Sequence, residues 1–216
     1  MLIVMAGLPG AGKSTLAQAL ARTLQAALLS VDPVEAAMWH AGVDRAQPTG
    51  LAAYVVVEAV ASQQLALGST VIVDAVNDVD AARQQWVDLA RRHGLVPHFV
   101  EVVCSDALTH RRRLEARRRD IDGFSEPSWE SVQHRAQTQA PWRQDRLVLD
   151  SMRAVGHNLD LLLDQLRSGP DVSSDDSRSG RLKDRARPRT TPPCPAHRRR
   201  SPIVSPGSRG SSRRVR

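Results

Sequence analysis

Gly7-Leu8-Pro9-Gly10-Ala11-Gly12-Lys13-Ser14 has the spacing G-x-x-x-x-G-K-[ST], and each fixed position in it has a chemical task. The glycines let the backbone adopt conformations and approach a ligand at distances that other residues forbid. Successive N–H groups then turn inward, and the positive end of the helix that follows completes an anion cradle. In such a cradle Lys13 reaches the β- and γ-phosphates of a nucleotide and the Ser14 hydroxyl ligates Mg²⁺. Four fixed positions arise by chance in roughly one of a hundred chains of this length. A dinucleotide fingerprint fails on the same residues, because Thr15 stands where the third small residue after Gly10 and Gly12 belongs.

Two acids and a basic run are the other candidates for chemistry. Asp32 follows the apolar run Ala27-Leu-Leu-Ser-Val31, where a carboxylate could take the proton of a hydroxyl attacking the γ-phosphate. Asp32-Pro33-x-Glu35 also reads as a helix cap with a capping-box partner, and the two roles can coexist. Asp74 closes Val71-Ile-Val73, a place from which an acid orients Mg²⁺ through water or contacts substrate. Arg83 comes early in the next helix, facing either that pocket or solvent. Arg111, Arg112, Arg113, Arg117, Arg118 and Arg119 surround Leu114-Glu-Ala116. Arg113 and Arg117 share a helical face and could close over nucleotide phosphates as a lid, while the rest read as solvated charge.

These groups need a scaffold that brings strand ends together. Leu2–Ala6, Ala27–Ser30, Thr70–Asp74 and His98–Cys104 are short continuous apolar runs, the pattern of buried parallel strands, and Leu147–Leu149 is a weaker fifth. Helical patterns alternate with them at 13–24, 33–40, 51–67, 81–93 and 106 to about 119. The alternation predicts an α/β fold: a mostly parallel five-stranded sheet with helices on both faces, a three-layer sandwich. Within 51–67 the β-branched valines of Tyr54-Val-Val-Val57 conflict with the surrounding Ala, Glu and Gln, and the length of the run favours a helix. Trp39, Trp86, Trp129 and Trp142 read as packing or lid residues, one of them able to line the substrate pocket. Cys104 reads as a small core residue. Scattered histidines and two cysteines argue against a zinc site or a disulfide framework.

The net charge of +7 is unevenly placed. Through Arg167 there are 17 Lys+Arg against 19 Asp+Glu, and from Ser168 onward 13 against 4. Residues 1–167 therefore read as a nearly neutral domain that carries the chemistry, and 168–216 as a disordered basic tail too poor in apolar residues to fold. That tail is a candidate weak electrostatic tether to nucleic acid, or a solvated extension with no such role. No run reaches the roughly 18 apolar residues of a membrane span, and the opening residues lack the features of a signal peptide. A cytoplasmic location and a monomer are the default expectations.

The loop, Leu29-Ser-Val-Asp32, Val71-Ile-Val-Asp-Ala-Val-Asn77, Arg83 and Arg113-Leu-Glu-Ala-Arg117 together resemble small P-loop kinases of the polynucleotide-kinase and zeta-toxin-like branch, often described as AAA-type ATP-binding proteins. The resemblance covers residues 1 to about 167. It implies a P-loop NTPase fold with ATP and Mg²⁺ held at Gly12, Lys13, Ser14 and Thr15. It also implies a hydroxyl-activating base at Asp32, a substrate-side acid at Asp74, and lid arginines at Arg113 and Arg117. The sequence departs from the branch at Val76, where D-A-T-N has threonine, and at Pro33 after the acid. ATP in preference to GTP rests on the resemblance, since no N-K-x-D occurs. The implied activity is transfer of the γ-phosphate to a hydroxyl of a small molecule or a nucleic-acid end. A regulatory ATP-binding protein that transfers nothing is the competing expectation.

Overall fold

The computed structural model describes residues 1–116 and 127–168. The expected tail, apart from Ser168, and the arginines 117–119 lie outside these. Five strands, β1 (Leu2–Ala6), β2 (Ala27–Ser30), β3 (Val71–Asp74), β4 (His98–Val103) and β5 (Arg146–Asp150), form one sheet in the order β2-β3-β1-β4-β5. Every neighbouring pair is parallel. The sheet is thus wholly rather than mostly parallel, as crossovers made throughout by helices demand. The helices are α1 (Lys13–Leu24), α2 (Val31–His40), α3 (Thr49–Ala66), α4 (Asp80–Arg92), α5 (described from Ala107 to Ala116), α6 (Trp129–Thr138) and α7 (Val155–Ser168).

Strand alternation sorts the core into two halves. Leu2, Val4, Val71, Val73 and Phe99 point to one face, where they pack with Ala53, Val57, Ala61 and Leu65 of α3 and with Trp86, Leu89 and Ala90 of α4. Ile3, Met5, Ile72, Val100 and Val102 point to the other, against Leu16, Ala17 and Leu20 of α1 and Leu162 of α7. The three layers follow from this division: alternate residues of the central strands bury their side chains against the helices on opposite sides of the sheet. Tyr54-Val-Val-Val57 is helical, its buried residue Val57 falling on the i, i+4 stripe Ala53, Val57, Ala61, Leu65. No helix among the described residues is long and apolar enough to cross a membrane.

Three local expectations need correction. Helix α2 begins at Val31 with Ser30 as its N-cap residue, so Asp32 lies inside the first turn and does not cap it. Glu35 does not close a capping box there, because its Oε1 accepts from the Thr49 hydroxyl of α3 at 2.8 Å. Cys104 is half-buried beyond the end of β4, its thiol 3.7 Å from Nη1 of Arg113, and is not a core residue. Helix α6 has no counterpart among the sequence-derived elements; its amphipathic stripe is short and its only fully buried residue is Val132.

Asn77 shows how the strand ends are held. It has a φ of 53°, a left-handed conformation that asparagine tolerates better than most residues. Its Nδ2 donates to the Met5 carbonyl at 2.8 Å, and its Oδ1 accepts from Nε1 of the fully buried Trp86 at 2.9 Å. Trp86 therefore fills the core and positions the turn after β3 through one atom. Trp86→Ala should lower unfolding free energy by about 3–5 kcal/mol, measured by urea denaturation.

Candidate active site

The cradle lies at the carboxyl end of the central strand β1, where open parallel sheets bind their ligands. Gly7 N–H donates to the Val76 carbonyl at 3.1 Å, and Ala11 N–H closes a turn on Leu8 O at 3.1 Å. At Gly7, φ is 141° and a Cβ would stand 2.3 Å from the Val102 carbonyl oxygen, so any side chain would push β4 aside. Gly10, at φ 81°, admits α5: a Cβ there would lie 3.2 Å from Leu114 Cβ and 3.3 Å from His110 Cδ2. Gly12 is the N-cap residue of α1, which leaves the first backbone N–H groups of that helix without side-chain caps. Those donors and the positive end of α1 face the cradle that Lys13, Ser14 and Thr15 enter.

Arg113 arrives at the same place from α5. It lines a cavity of about 230 Å³ with Gly10, Gly12, Lys13, Ser14 and Thr15. Two interactions seat α5. Nε2–H of the buried His110 donates to the Pro9 carbonyl at 2.8 Å, and Trp129 of α6 packs edge-on against its ring. Arg113 itself donates to Ser151 Oγ at 2.7 Å and Ser151 O at 3.2 Å, joining α5 to the turn after β5. Arg117, expected beside it, lies outside the described residues.

A second cavity of about 240 Å³ adjoins the first, sharing Gly12, Thr15 and Arg113. Leu16, Val102 and Val155 give it apolar walls, and Ser151, Arg153 and Asn158 give it polar ones. Apolar walls with a few polar groups are the usual lining of a small-molecule site. Ser151 and Asn158 carry no sequence motif; only the fold brings them to the loop. The turn that carries Ser151 hangs on Asp150, whose carboxylate accepts from the Ser105 hydroxyl and from the Ser105 and Met152 N–H groups, and whose carbonyl accepts from Asn158 Nδ2 of α7 at 2.9 Å. The Ser105 hydroxyl, then the Met152 N–H, holds Asp150 below the usual carboxylate range. A lowered carboxylate adds stability above its unfolded-state value and loses it as pH falls through the folded-state value. Thermal melts of wild type and Asp150→Asn should therefore differ near neutrality and converge only below the ordinary carboxylate range, as pH falls through the lowered folded-state value.

The two acids sit at neighbouring strand ends. Asp74 is paired in register with Met5 on one side and Ser30 on the other. It is 6 % exposed; Oδ2 accepts from the Ser30 hydroxyl at 3.5 Å, and the buried Oδ1 has no partner. An unpartnered carboxylate oxygen beside a phosphate loop fits a hydrated Mg²⁺, which is commonly held by one or two protein oxygens, waters and phosphates. Among the described residues no three His, Cys, Asp or Glu side chains are grouped so as to hold a metal ion by themselves. Asp32 is half-buried in the first turn of α2. Burial, then the negative charges of Asp78 and Asp32, pushes the Tyr54 phenol up, while the Asn77 N–H bonded to its oxygen at 3.3 Å opposes them. Tyr54, Asp32 and Asp78 thus share one neighbourhood. Asp78 also lies 3.8 Å from Arg135 of α6. Neither Tyr54 nor Asp78 stands in a motif, so sequence reasoning missed both.

Arg83 faces neither open pocket nor solvent. It is fully buried, its guanidinium 4.4 Å over the Trp142 ring and one nitrogen donating to the Ala140 and Pro141 carbonyls at 3.0 Å. In this conformation it braces the segment between α6 and β5 rather than presenting itself to a substrate. Trp142, with Arg146 on it at 4.7 Å, belongs to the same brace.

The AAA domain family matches residues 2–155. No curated protein matches the chain. Among solved structures, a proposed kinase from Chloroflexus aurantiacus j-10-fl is 23 % identical, with a TM-score of 0.63 over 78 % of this chain and 97 % of that one. A gluconokinase from Sinorhizobium meliloti 1021 is 17 % identical, with a TM-score of 0.54 over 77 % and 91 % of the two chains. The Mycobacterium tuberculosis APS kinase CysC, in complex with AMPPNP and APS, is 20 % identical, with a TM-score of 0.55 over 77 % and 98 %. At these identities the likeness is one of fold, the P-loop three-layer sandwich.

Proposed function

The chain belongs to the AAA domain family, and from that premise we propose that it transfers the γ-phosphate of ATP to a hydroxyl of a small molecule or a nucleic-acid end. One observation carries the reading: Lys13 and Arg113, from different helices, line one cavity at the N-terminus of α1. Two cations and a row of N–H groups around one cavity match the charge that spreads over a transferring phosphoryl group. The AMPPNP carried by the M. tuberculosis structure is in keeping with a nucleotide at this loop.

Each residue then has a role. Gly7, Leu8, Pro9, Gly10, Ala11 and Gly12 shape the backbone cradle; Lys13 binds the β- and γ-oxygens, and Thr15 borders the neighbouring base-side cavity. Ser14 and Asp74 hold Mg²⁺, which when bound neutralises phosphate charge and orients the γ-phosphoryl group. Arg113 supplies positive charge as that group leaves. Asp32 takes the acceptor's proton, with Tyr54 and Asp78 beside it to position the acceptor. An apolar base cavity and a seated α5 keep water from the γ-phosphate, which favours transfer over hydrolysis.

The test is to incubate the full chain with γ-labelled ATP, Mg²⁺ and a panel of 5′-hydroxyl oligonucleotides, nucleosides, sugars and aminoglycosides. Label should appear on one acceptor class. If ATP is hydrolysed, no acceptor is labelled, and Asp32→Asn hydrolyses ATP as fast as wild type, the transferase reading fails in favour of a nucleotide-gated binding protein.

A further inference from the structure

Helix α3 carries apolar residues on its outward side as well as its buried one, yet only the buried one is covered. Thr49, Ala53, Val57, Ala61 and Leu65 are buried against the sheet and the neighbouring helices. On the opposite side Leu51, Ala52, Val55, Val56, Ala59, Val60, Gln63, Ala66 and Leu67 are all exposed, and Gln63 is the one polar residue among them. Leu51 is 67 % exposed, Val55 55 % and Leu67, the C-cap residue, 78 %. A helix face this apolar is normally buried.

The arrangement of that face is self-complementary. Ala52, Ala59 and Ala66 recur every seven residues and run down its middle. Leu51 and Val55 rise on one flank, and Val56, Val60 and Leu67 on the other, leaving a shallow channel floored by methyl groups. An antiparallel copy centred on Ala59 sets Ala52 opposite Ala66 and brings the Leu51 end of one helix level with the Leu67 end of the other. The small central residues let the two backbones approach closely. No charged residue lies on the face; the nearest acid of the helix, Glu58, is turned aside into contacts with Gln85 and Arg92.

Size and composition point to a second copy of this chain as the occupant. A helix of this length spans about 27 Å, and two such faces bury on the order of 1,000 Å², the lower bound for a specific interface. The sequence outside the described residues offers no matching apolar stripe: 117–126 has only Ile121 and Phe124 among charged and small residues, and from 169 to 216 the large aliphatic residues are Val172, Leu182, Ile203, Val204 and Val215, scattered among Arg, Ser and Pro without helical periodicity.

We propose that the exposed face of α3 is a twofold dimerisation surface. The surface is distinct from the nucleotide cradle, and it stands whether or not phosphotransfer is the activity. Sedimentation velocity of the full chain from 1 to 100 µM should show a monomer–dimer equilibrium with a dissociation constant of order 10 µM. Ala59→Glu and Val55→Glu each place an unpaired charge in the interface and should weaken association about 100-fold or more. Both positions are exposed, so circular dichroism should be unchanged. Val96→Glu, at an exposed site between α4 and β4, should associate as wild type does. The dimer should also survive nuclease treatment and 0.5 M NaCl, which rules out bridging by nucleic acid on the basic segment. A monomer at every concentration, a dimer that persists in both α3 variants, or one that disappears with nuclease or salt would overturn the proposal.

Discussion

Lys13→Ala should reduce kcat/KM for phosphotransfer by about three orders of magnitude, the scale at which a preorganised charge acts on a developing phosphoryl transition state. Lys13 is 3 % exposed and shares its cavity with Arg113, so its ammonium acts where water screens little. The loss should fall mainly on kcat, because the cradle N–H groups still bind the phosphates in the ground state. Lys13→Arg should recover little, since a planar, delocalised fork does not reproduce the compact point charge of an ammonium against phosphate oxygens. Single-turnover rates with saturating γ-labelled ATP, beside equilibrium binding of a non-hydrolysable analogue, separate the two effects. A variant with unchanged single-turnover rate would remove Lys13 from the chemistry.

Asp32→Asn should lower kcat for the hydroxyl acceptor by about 10²–10⁴-fold, the range for loss of a general base. Asparagine keeps the shape and the polar contacts of the first turn of α2 but cannot take a proton. Because Ser30, not Asp32, is the N-cap residue, the substitution leaves the cap intact and the melting temperature should change by no more than a degree or two. ATP affinity should also be unchanged. The slow acceptor-free hydrolysis of ATP, which needs no acceptor base, serves as the internal control. If transfer and hydrolysis fall together, Asp32 acts on nucleotide or Mg²⁺ rather than on the acceptor.

The legibility of this protein in its sequence tracks distance along the chain. The cradle was readable because its parts are eight consecutive residues and their task dictates their type. Strands β1 to β4 were readable because burial on both faces demands unbroken apolar runs, and β5 was faint because Arg146 and Val148 are exposed at the sheet edge. What was not readable depends on contacts between distant segments. Ser151 and Asn158 border the second cavity only because β5 lies beside β4. Tyr54 meets the strand ends through its hydroxyl, but in sequence it is one more bulky residue in an apolar helix. Asp32 misled in a different way: Asp-Pro is a good helix start, yet β2 ends at Ser30 as expected and the helix begins at once, at Val31, two residues before the proline. Arg83 carried a charge that looked like a substrate contact, and the fold spends it inside, stacked on an indole.

The strand order bears on how the chain assembles as it is made. Central β1 is synthesised first, but its partners arrive much later: Leu2 pairs with Val71, and Ile3 with both Ile72 and His98. Until β3 and β4 emerge, the most apolar strand of the protein has no neighbour on either edge, and non-local pairing of this kind is slow. Gly7 takes its hydrogen bond from the turn after β3 and packs on Val102 of β4, so the cradle closes only after those strands dock. The cradle, made before β3 and β4, thus reaches its shape only after them, and during that interval β1 is an unpaired apolar stretch open to aggregation and to capture by chaperones.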